Sequence, residues 1–445
     1  MAAMPIFIIG AETLLLYDLL PIMRFAIKYS NFNAEMKISL IKNTFLLCLL
    51  VVFACAGGQK KEEPVETSSK SNVIKPNNHA LTIGAARLDE YLPLLKGRIG
   101  IVANQTSVIY HDNGISYTHL VDTLLSLKKN VVRVFAPEHG FRGTADAGEL
   151  VKDGMDKKTG LPIISLYGEN KKPAFSDSDL DHIIFDIQDV GARFYTYIST
   201  LHYVMEACAE QNIPLIVLDR PNPNGQMIDG PVLEEKHRSF VGMHPIPVTH
   251  GMTIGEYAKM INGEGWLDGG LTCNLTVIPM LNYSRSDPYQ LKIKPSPNLP
   301  NDVAINLYPS LCFFEGTAVS AGRGTDMQFQ VFGSPELNPE VFAFNFRPEP
   351  NAGAKYPKHT GKTCYGMDLR NHKRLDTLNL EWLIKAYQAS LNKENFFNAF
   401  FEKLSGTDVL RSQIIAGLTT EEIRATWSEG LTDFRNTRQQ YLIYD

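Results

Sequence analysis

Between residues 98 and 218 the chain passes through five short, continuous apolar stretches separated by polar or helix-patterned segments. This alternation constrains the fold more than any other feature. The stretches are Arg98–Ala103, Val131–Ala136, Leu161–Tyr167, His182–Phe185 and Ile213–Leu218. Each is short, rich in Ile and Val, and lacks the one-in-two alternation of a strand with one wet face. Strands that are apolar on both faces belong in a parallel sheet covered by helices on both sides. The helices come from the segments between. Thr118–Lys129 sets Leu120, Leu124 and Leu127 at helical spacing, and Tyr197–Gln211 does so with Ile198, Leu201, Val204, Met205 and Cys208. The fold class is therefore α/β, with a Rossmann-like, mostly parallel sheet. Five clear strands are too few for an eight-stranded barrel.

After about Ser284 the texture changes. Lys294–Pro300 (KPSPNLP) is a rigid connector, Gly316–Asp326 is glycine-rich, and helical patterning returns at Leu380–Leu404 and Leu418–Ser428. The expected organisation is a Rossmann-like domain over residues 80–285 and a smaller α+β C-terminal domain over 286–445 that closes a cleft. Thr253-Ile-Gly-Glu256 ahead of an apolar run predicts a capping box.

The first 80 residues read differently. Met36-Lys37 begins a basic segment, the apolar run Thr44–Ala54 follows, and Val52-Phe53-Ala54-Cys55 resembles a bacterial lipobox. The resemblance implies a lipoprotein signal peptide over 36–55, cleavage before Cys55 and a lipid on its sulfur. Residues 1–35 are expected to be an upstream artefact, and the polar, aperiodic segment 56–79 a tether. An exported lipoprotein of a bacterial cell envelope, held to the membrane by its lipid, is the expected form.

Forty-three basic against 48 acidic residues leave no basic excess, which argues against a nucleic-acid partner. Six cysteines, none in a CxxC or zinc-like spacing, predict neither a disulfide scaffold nor a structural metal. Cys208 and Cys312 read as core thiols, while Cys273 and Cys364 are a conceivable pair. His244 and His250 read as satisfied loop histidines. No GxGxxG follows a strand and no GxxxxGK[ST] occurs, so the sheet is not expected to bind a dinucleotide or ATP in the usual way.

In open α/β sheets ligands bind outside the carboxyl ends of the strands. Here those ends carry Asn104 and Gln105, Glu138 and His139, Asp186 and Asp189, and Asp219, Arg220 and Asn222. The densest cluster is Pro137–Gly143, where Glu138 and His139 stand beside Arg142. A carboxylate next to an imidazole and a guanidinium can carry a tuned proton. The same residues also suit a turn in which Glu138 pairs with Arg142. Further candidates are Arg193, Tyr195 and Tyr197 after the fourth strand, and Glu315, Arg323 and Asp326 from the second domain.

Several motifs are distinctive together: Phe135–Gly143, Phe185–Tyr197, Leu218–Gly225, Gly230–Leu233, Pro247–Glu256, Pro295–Pro300 and Glu315–Thr317 with Gly322–Asp326. From about residue 81 to the C-terminus the sequence resembles the exo-β-N-acetylmuramidase family (NamZ). The resemblance implies hydrolysis of a non-reducing-terminal β-1,4-linked N-acetylmuramic acid from peptidoglycan-derived muropeptides or disaccharides. It implies no cofactor. Glycoside cleavage generally uses one carboxylic acid to protonate the leaving oxygen and a second carboxylate as base or nucleophile. Glu138 is the candidate acid, with His139 beside it. Asp186 leads for the second role, with Glu315 and Asp189 as competitors. The lactyl carboxylate of muramic acid calls for an arginine, and Arg142, Arg193 and Arg323 are the choices. Asn104, Tyr195, Asp219, Asn222 and Asp326 complete the expected substrate-binding set. Two alternatives stand beside this reading: a tethered muropeptide- or sugar-binding protein without turnover, and a metal-dependent hydrolase using Asp186, Asp189 and Asp219 as oxygen ligands.

Overall fold

All five apolar stretches become neighbouring strands of one twisted sheet. The structure, a computed structural model, describes residues 80–142, 153–175 and 180–445. The expected upstream segment 1–35, the signal peptide 36–55 with Cys55, and the tether 56–79 lie outside the described residues. The sheet strands are β1 (Ile99–Ala103), β2 (Val131–Ala136), β3 (Gly154–Met155), β4 (Pro162–Ser165), β5 (His182–Asp186), β6 (Leu215–Leu218) and β7 (Leu275–Ile278), in the spatial order β7-β6-β5-β1-β2-β4-β3. Every pairing is parallel except that of β3 with β4. The edge strand β7 is a strand that apolar patterning missed. Its Thr276 is exposed and only Ile278 is buried, so it carries no continuous apolar run.

Alternate side chains of each inner strand enter different cores. Ile99, Ile101, Val134, Ile184 and Ile216 pack with Tyr91, Leu120 and Leu124 on one face. Val102, Phe135, Ile183, Phe185 and Val217 pack on the other against the helices Tyr197–Glu210 and Ile254–Gly263. Burial on both faces is what the unbroken apolar runs require. The helix Ile254–Gly263 opens with the capping box: the Thr253 hydroxyl accepts from the Glu256 N–H, and the Glu256 carboxylate accepts from the Thr253 N–H.

Beyond the helix Asp302–Leu311, a small antiparallel sheet of β8 (Val331–Ser334), β9 (Phe344–Phe346) and β10 (Cys364–Asp368), in the order β8-β10-β9, is followed by five short helices between Glu381 and Arg438. The helical reading of Leu380–Leu404 resolves into Glu381–Gln388 and Phe401–Ser405. The large apolar core runs from the parallel sheet into this part, joining Phe313, Phe332, Phe401 and Trp427 to Phe185. The two parts therefore share one interior. Cys273 and Cys364 do not pair. Cys273 lies beside Cys208, whereas Cys364 packs with Val331 and Phe346.

Candidate active site

Strand β2 delivers the chain into the turn Pro137-Glu138-His139-Gly140, closed by the Gly140 N–H donating to the Pro137 carbonyl at 3.0 Å. His139 and Gly140 both sit in the left-handed region, at φ +73° and +76°. A non-glycine residue is uncommon there, and the surrounding structure must hold it. The turn begins directly after β2 and places Glu138 two residues past its last residue, Ala136. The Thr196 hydroxyl donates to Glu138 Oε2 at 2.7 Å. The Tyr197 hydroxyl lies 3.4 Å from the Glu138 carbonyl and 3.2 Å from that of Pro295, and it accepts from the Asn104 amide at 2.9 Å. The proline-dense connector is thus more than a spacer. Its Lys294 and Pro295 carbonyls take Gln105, Tyr195 and Tyr197.

Glu138 lines a cavity of about 630 Å³ together with Glu315, Arg323 and Lys358. Glu315 comes from the single 3-10 turn Cys312–Gly316 that ends the helix Asp302–Leu311. Arg323 Nε donates to Glu315 Oε1 at 3.1 Å, and its guanidinium lies over the Phe329 ring. Lys358 Nζ lies within 3.4 Å of the carbonyls of Phe314, Glu315, Thr317 and Val319. Burial pushes the Glu315 carboxyl up, but the Arg323 and Lys358 charges outweigh it and hold it below the ordinary glutamate range. Tyr167, two residues past β4, also lines the cavity. Burial and then the neighbouring Glu138 raise its phenol above the usual range. A small extension of about 50 Å³ adds His139, Tyr195 and Asn298 to the wall.

The structure therefore brings Glu138, His139, Tyr195, Glu315 and Arg323 together at one cavity system. It places the other expected site residues elsewhere. Asp186 is fully buried and bound through both oxygens by Arg220, at 2.6 and 2.9 Å, so the strand end that carries it points into the protein. Arg142 pairs with Asp156 at 2.8 Å, not with Glu138, and does not line the cavity. Arg193 is completely buried and donates to the carbonyls of Pro231, Ile246, Leu404 and Ser405, where no lactyl group can reach it. Burial lowers its pKa to about 9. Asp219 accepts from the N–H groups of Arg220 and Gly255 and from the hydroxyls of Thr253 and Tyr444. Asn222 bonds the Met252 carbonyl and the Asn224 N–H, and Asn104 is buried beneath Tyr197. Asp326 is exposed and absent from the lining.

Asp189 is buried against His250, whose Nε2 lies 3.9 Å from Asp189 Oδ2. Burial pushes the Asp189 carboxyl up to about 7 and the His250 imidazole down to about 3. His250 Nε2 finds no hydrogen-bond partner, so only His244, bonded to Tyr257 and His202, is the satisfied histidine expected. Asp186, Asp189 and Asp219 are thus committed to different partners, and among the described residues no group of three metal-ligating side chains gathers.

Strand-end reasoning missed Tyr167, although it terminates one of the predicted strands and the same rule finds it. It also missed Thr196, Tyr308 and Lys358. Lys358 stands in Pro357-Lys358-His359, where no motif or periodicity marks it.

Comparison with known proteins bears on this arrangement. Residues 99–303 match the family described as Exo-beta-N-acetylmuramidase NamZ, N-terminal, and residues 306–444 match its C-terminal counterpart. The chain is 38% identical over 379 residues to the peptidoglycan beta-N-acetylmuramidase NamZ of Bacillus subtilis, covering 80% of this chain and 89% of that protein. A crystal structure of a DUF1343 family protein from Bacteroides fragilis superposes with a TM-score of 0.74 at 45% identity, over 82% of this chain and 99% of that one. A second DUF1343 family protein from the same organism gives 0.69 at 29% identity with the same coverage. Both halves of the sequence and the whole described fold thus agree: the chain belongs to the NamZ exo-β-N-acetylmuramidase family.

Proposed function

We propose that this chain is an exo-acting glycoside hydrolase that releases non-reducing-terminal, β-1,4-linked N-acetylmuramic acid from peptidoglycan fragments. The observation that carries the reading is the placement of Glu138 and Glu315 on one cavity of about 630 Å³. Two carboxyl groups with different surroundings are what glycoside cleavage uses. Glu138, held by the Thr196 hydroxyl at the strained turn, protonates the leaving oxygen. Glu315, kept ionised by Arg323 and Lys358, is the second carboxylate. Glu315 takes this role in place of Asp186, whose charge is already spent on Arg220. Of the three arginines considered for the lactyl carboxylate, Arg323 is the one at the cavity, and Lys358 adds to the positive potential there. The smaller C-terminal part supplies Glu315, Arg323 and Lys358, so the site needs both parts of the chain.

Product analysis on a defined N-acetylmuramic acid–N-acetylglucosamine disaccharide tests the reaction. Free N-acetylmuramic acid from the non-reducing end is the expected product. Glu138→Gln should lower kcat by at least about 10²-fold while the protein still binds the disaccharide. Binding by the wild-type chain without any hydrolysis would instead identify a tethered binding protein. We further propose that the chain is an exported lipoprotein anchored through Cys55, on the strength of the lipobox-like Val52–Cys55. Cys55→Ala should shift it from the membrane fraction to the soluble fraction of the envelope.

A further inference from the structure

The cavity that holds Glu138 is lined by both charged and aromatic side chains. Glu138, Glu315, Arg323 and Lys358 are half-buried in its wall, as is Phe240, whereas Lys355, Tyr356 and Phe400 stand exposed at its mouth. Tyr356 is 95% exposed and Phe400 38%. A lone exposed aromatic needs no explanation, but aromatics gathered on the rim of a site call for a ligand.

The loop that carries Tyr356 is fixed on both sides of it. Upstream, Asn351 and Ala354 exchange backbone hydrogen bonds, the Asn351 amide donates to the Thr325 carbonyl, and the Asn298 amide donates to the Gly353 carbonyl at 2.6 Å. Downstream, Pro357 lies so close to Gly324 that a Cβ there would come within 2.5 Å of it, and Lys358 is held by its carbonyl cluster. The anchored loop holds Lys355 and Tyr356 outward at the cavity. An aromatic ring displayed on a fixed loop loses little freedom when something stacks on it.

We infer that Tyr356 is a stacking platform for the leaving-side N-acetylhexosamine, the sugar that follows the scissile bond. The inference rests on the muramidase reading above. A β-linked N-acetylglucosamine carries its substituents equatorially, which leaves two C–H faces that pack on an aromatic ring. The muramic acid, with its lactyl carboxylate, belongs at the half-buried cations Arg323 and Lys358. The cavity, about 630 Å³, is large enough for more than one sugar ring.

The test is calorimetric binding in the Glu138→Gln background, with two probes: the disaccharide and N-acetylmuramic acid alone. Tyr356→Ala should weaken disaccharide binding about three- to tenfold and leave the monosaccharide unchanged. Tyr356→Trp should restore the disaccharide affinity. An unchanged disaccharide affinity, an equal loss for both probes, or no disaccharide binding at all would overturn the assignment. Hydrolysis by the wild-type chain is followed in parallel. Its absence would count against the muramidase reading, while the binding comparison would still decide the role of Tyr356.

Discussion

Lys358 shows how a single side chain sets the chemistry of a neighbour. It is half-buried among backbone carbonyls and faces Glu315, which Arg323 already contacts. Burial lowers the Lys358 pKa, and the Glu315 carboxylate opposes that. Removing this cation leaves burial, which favours the protonated carboxyl, less opposed. A carboxyl held low is ionised down to low pH, and losing one of its two cations raises the pH at which it takes up a proton. Lys358→Met should therefore move the acid limb of the kcat/KM profile to higher pH. Lys358→Arg, which keeps the charge, should move it less. An acid limb in the same place for wild type and Lys358→Met would rule out Glu315 as the group that must be ionised. Glu138 was legible as a site residue because a strand-end turn of Pro, Glu, His and Gly is rare and self-contained. Lys358 was not, because its meaning comes from carbonyls some forty residues earlier in the chain.

At the scale of the element, carboxylates at the strand ends do two different jobs. β2 ends in a turn that throws Glu138 into the cavity, whereas β5 and β6 end in aspartates that hold the protein together. Asp219 takes the N–H of Gly255, in the first turn of the helix Ile254–Gly263 and outside the capping box, and also binds Thr253 and the C-terminal Tyr444. Asp219→Ala strands two N–H groups and two hydroxyls in the interior, and should destabilise the fold by about 2–4 kcal/mol. Asp219 does not line the cavity, so kcat/KM per folded molecule should stay close to wild type. Chemical denaturation with activity measured on the folded fraction checks both halves. A selective loss of activity would return Asp219 to the active site. Local patterning identified the capping box here because Thr253 and Glu256 are three residues apart and act only on each other's backbone. It could not tell Asp219 from Glu138, since both follow an apolar strand. Which one faces ligand depends on what packs above it.

Across the whole molecule the early sheet and the late helices are joined by buried polar groups. Arg193, just after β5, reaches the carbonyls of Leu404 and Ser405 at the end of the helix Phe401–Ser405. Gly406, at φ +74°, is part of that contact, because a Cβ there would lie 2.6 Å from Arg193 Nη2. The chain end folds back too: Arg285 binds Glu256 at 2.5 Å and the Tyr444 carbonyl at 2.8 Å. Arg193→Met should leave four buried carbonyls short of a donor and cost on the order of 3 kcal/mol or more. Thermal unfolding should show the sheet and the C-terminal helices melting together at a lower Tm. An unchanged Tm would show that these carbonyls find other donors.

The α/β class, five of the sheet strands, the family and the turn that carries Glu138 are all legible in the order of residues along the chain. These depend on local properties: apolar runs that must be buried on both faces, and compact motifs read within a dozen residues. Which polar residues share a cavity is set by packing in three dimensions. A buried charge must be paired, and its partner is set by packing between distant segments. Arg220, 34 residues away, turned Asp186 into a structural pair; Arg323 and Lys358 kept Glu315 at the cavity as an ionised group.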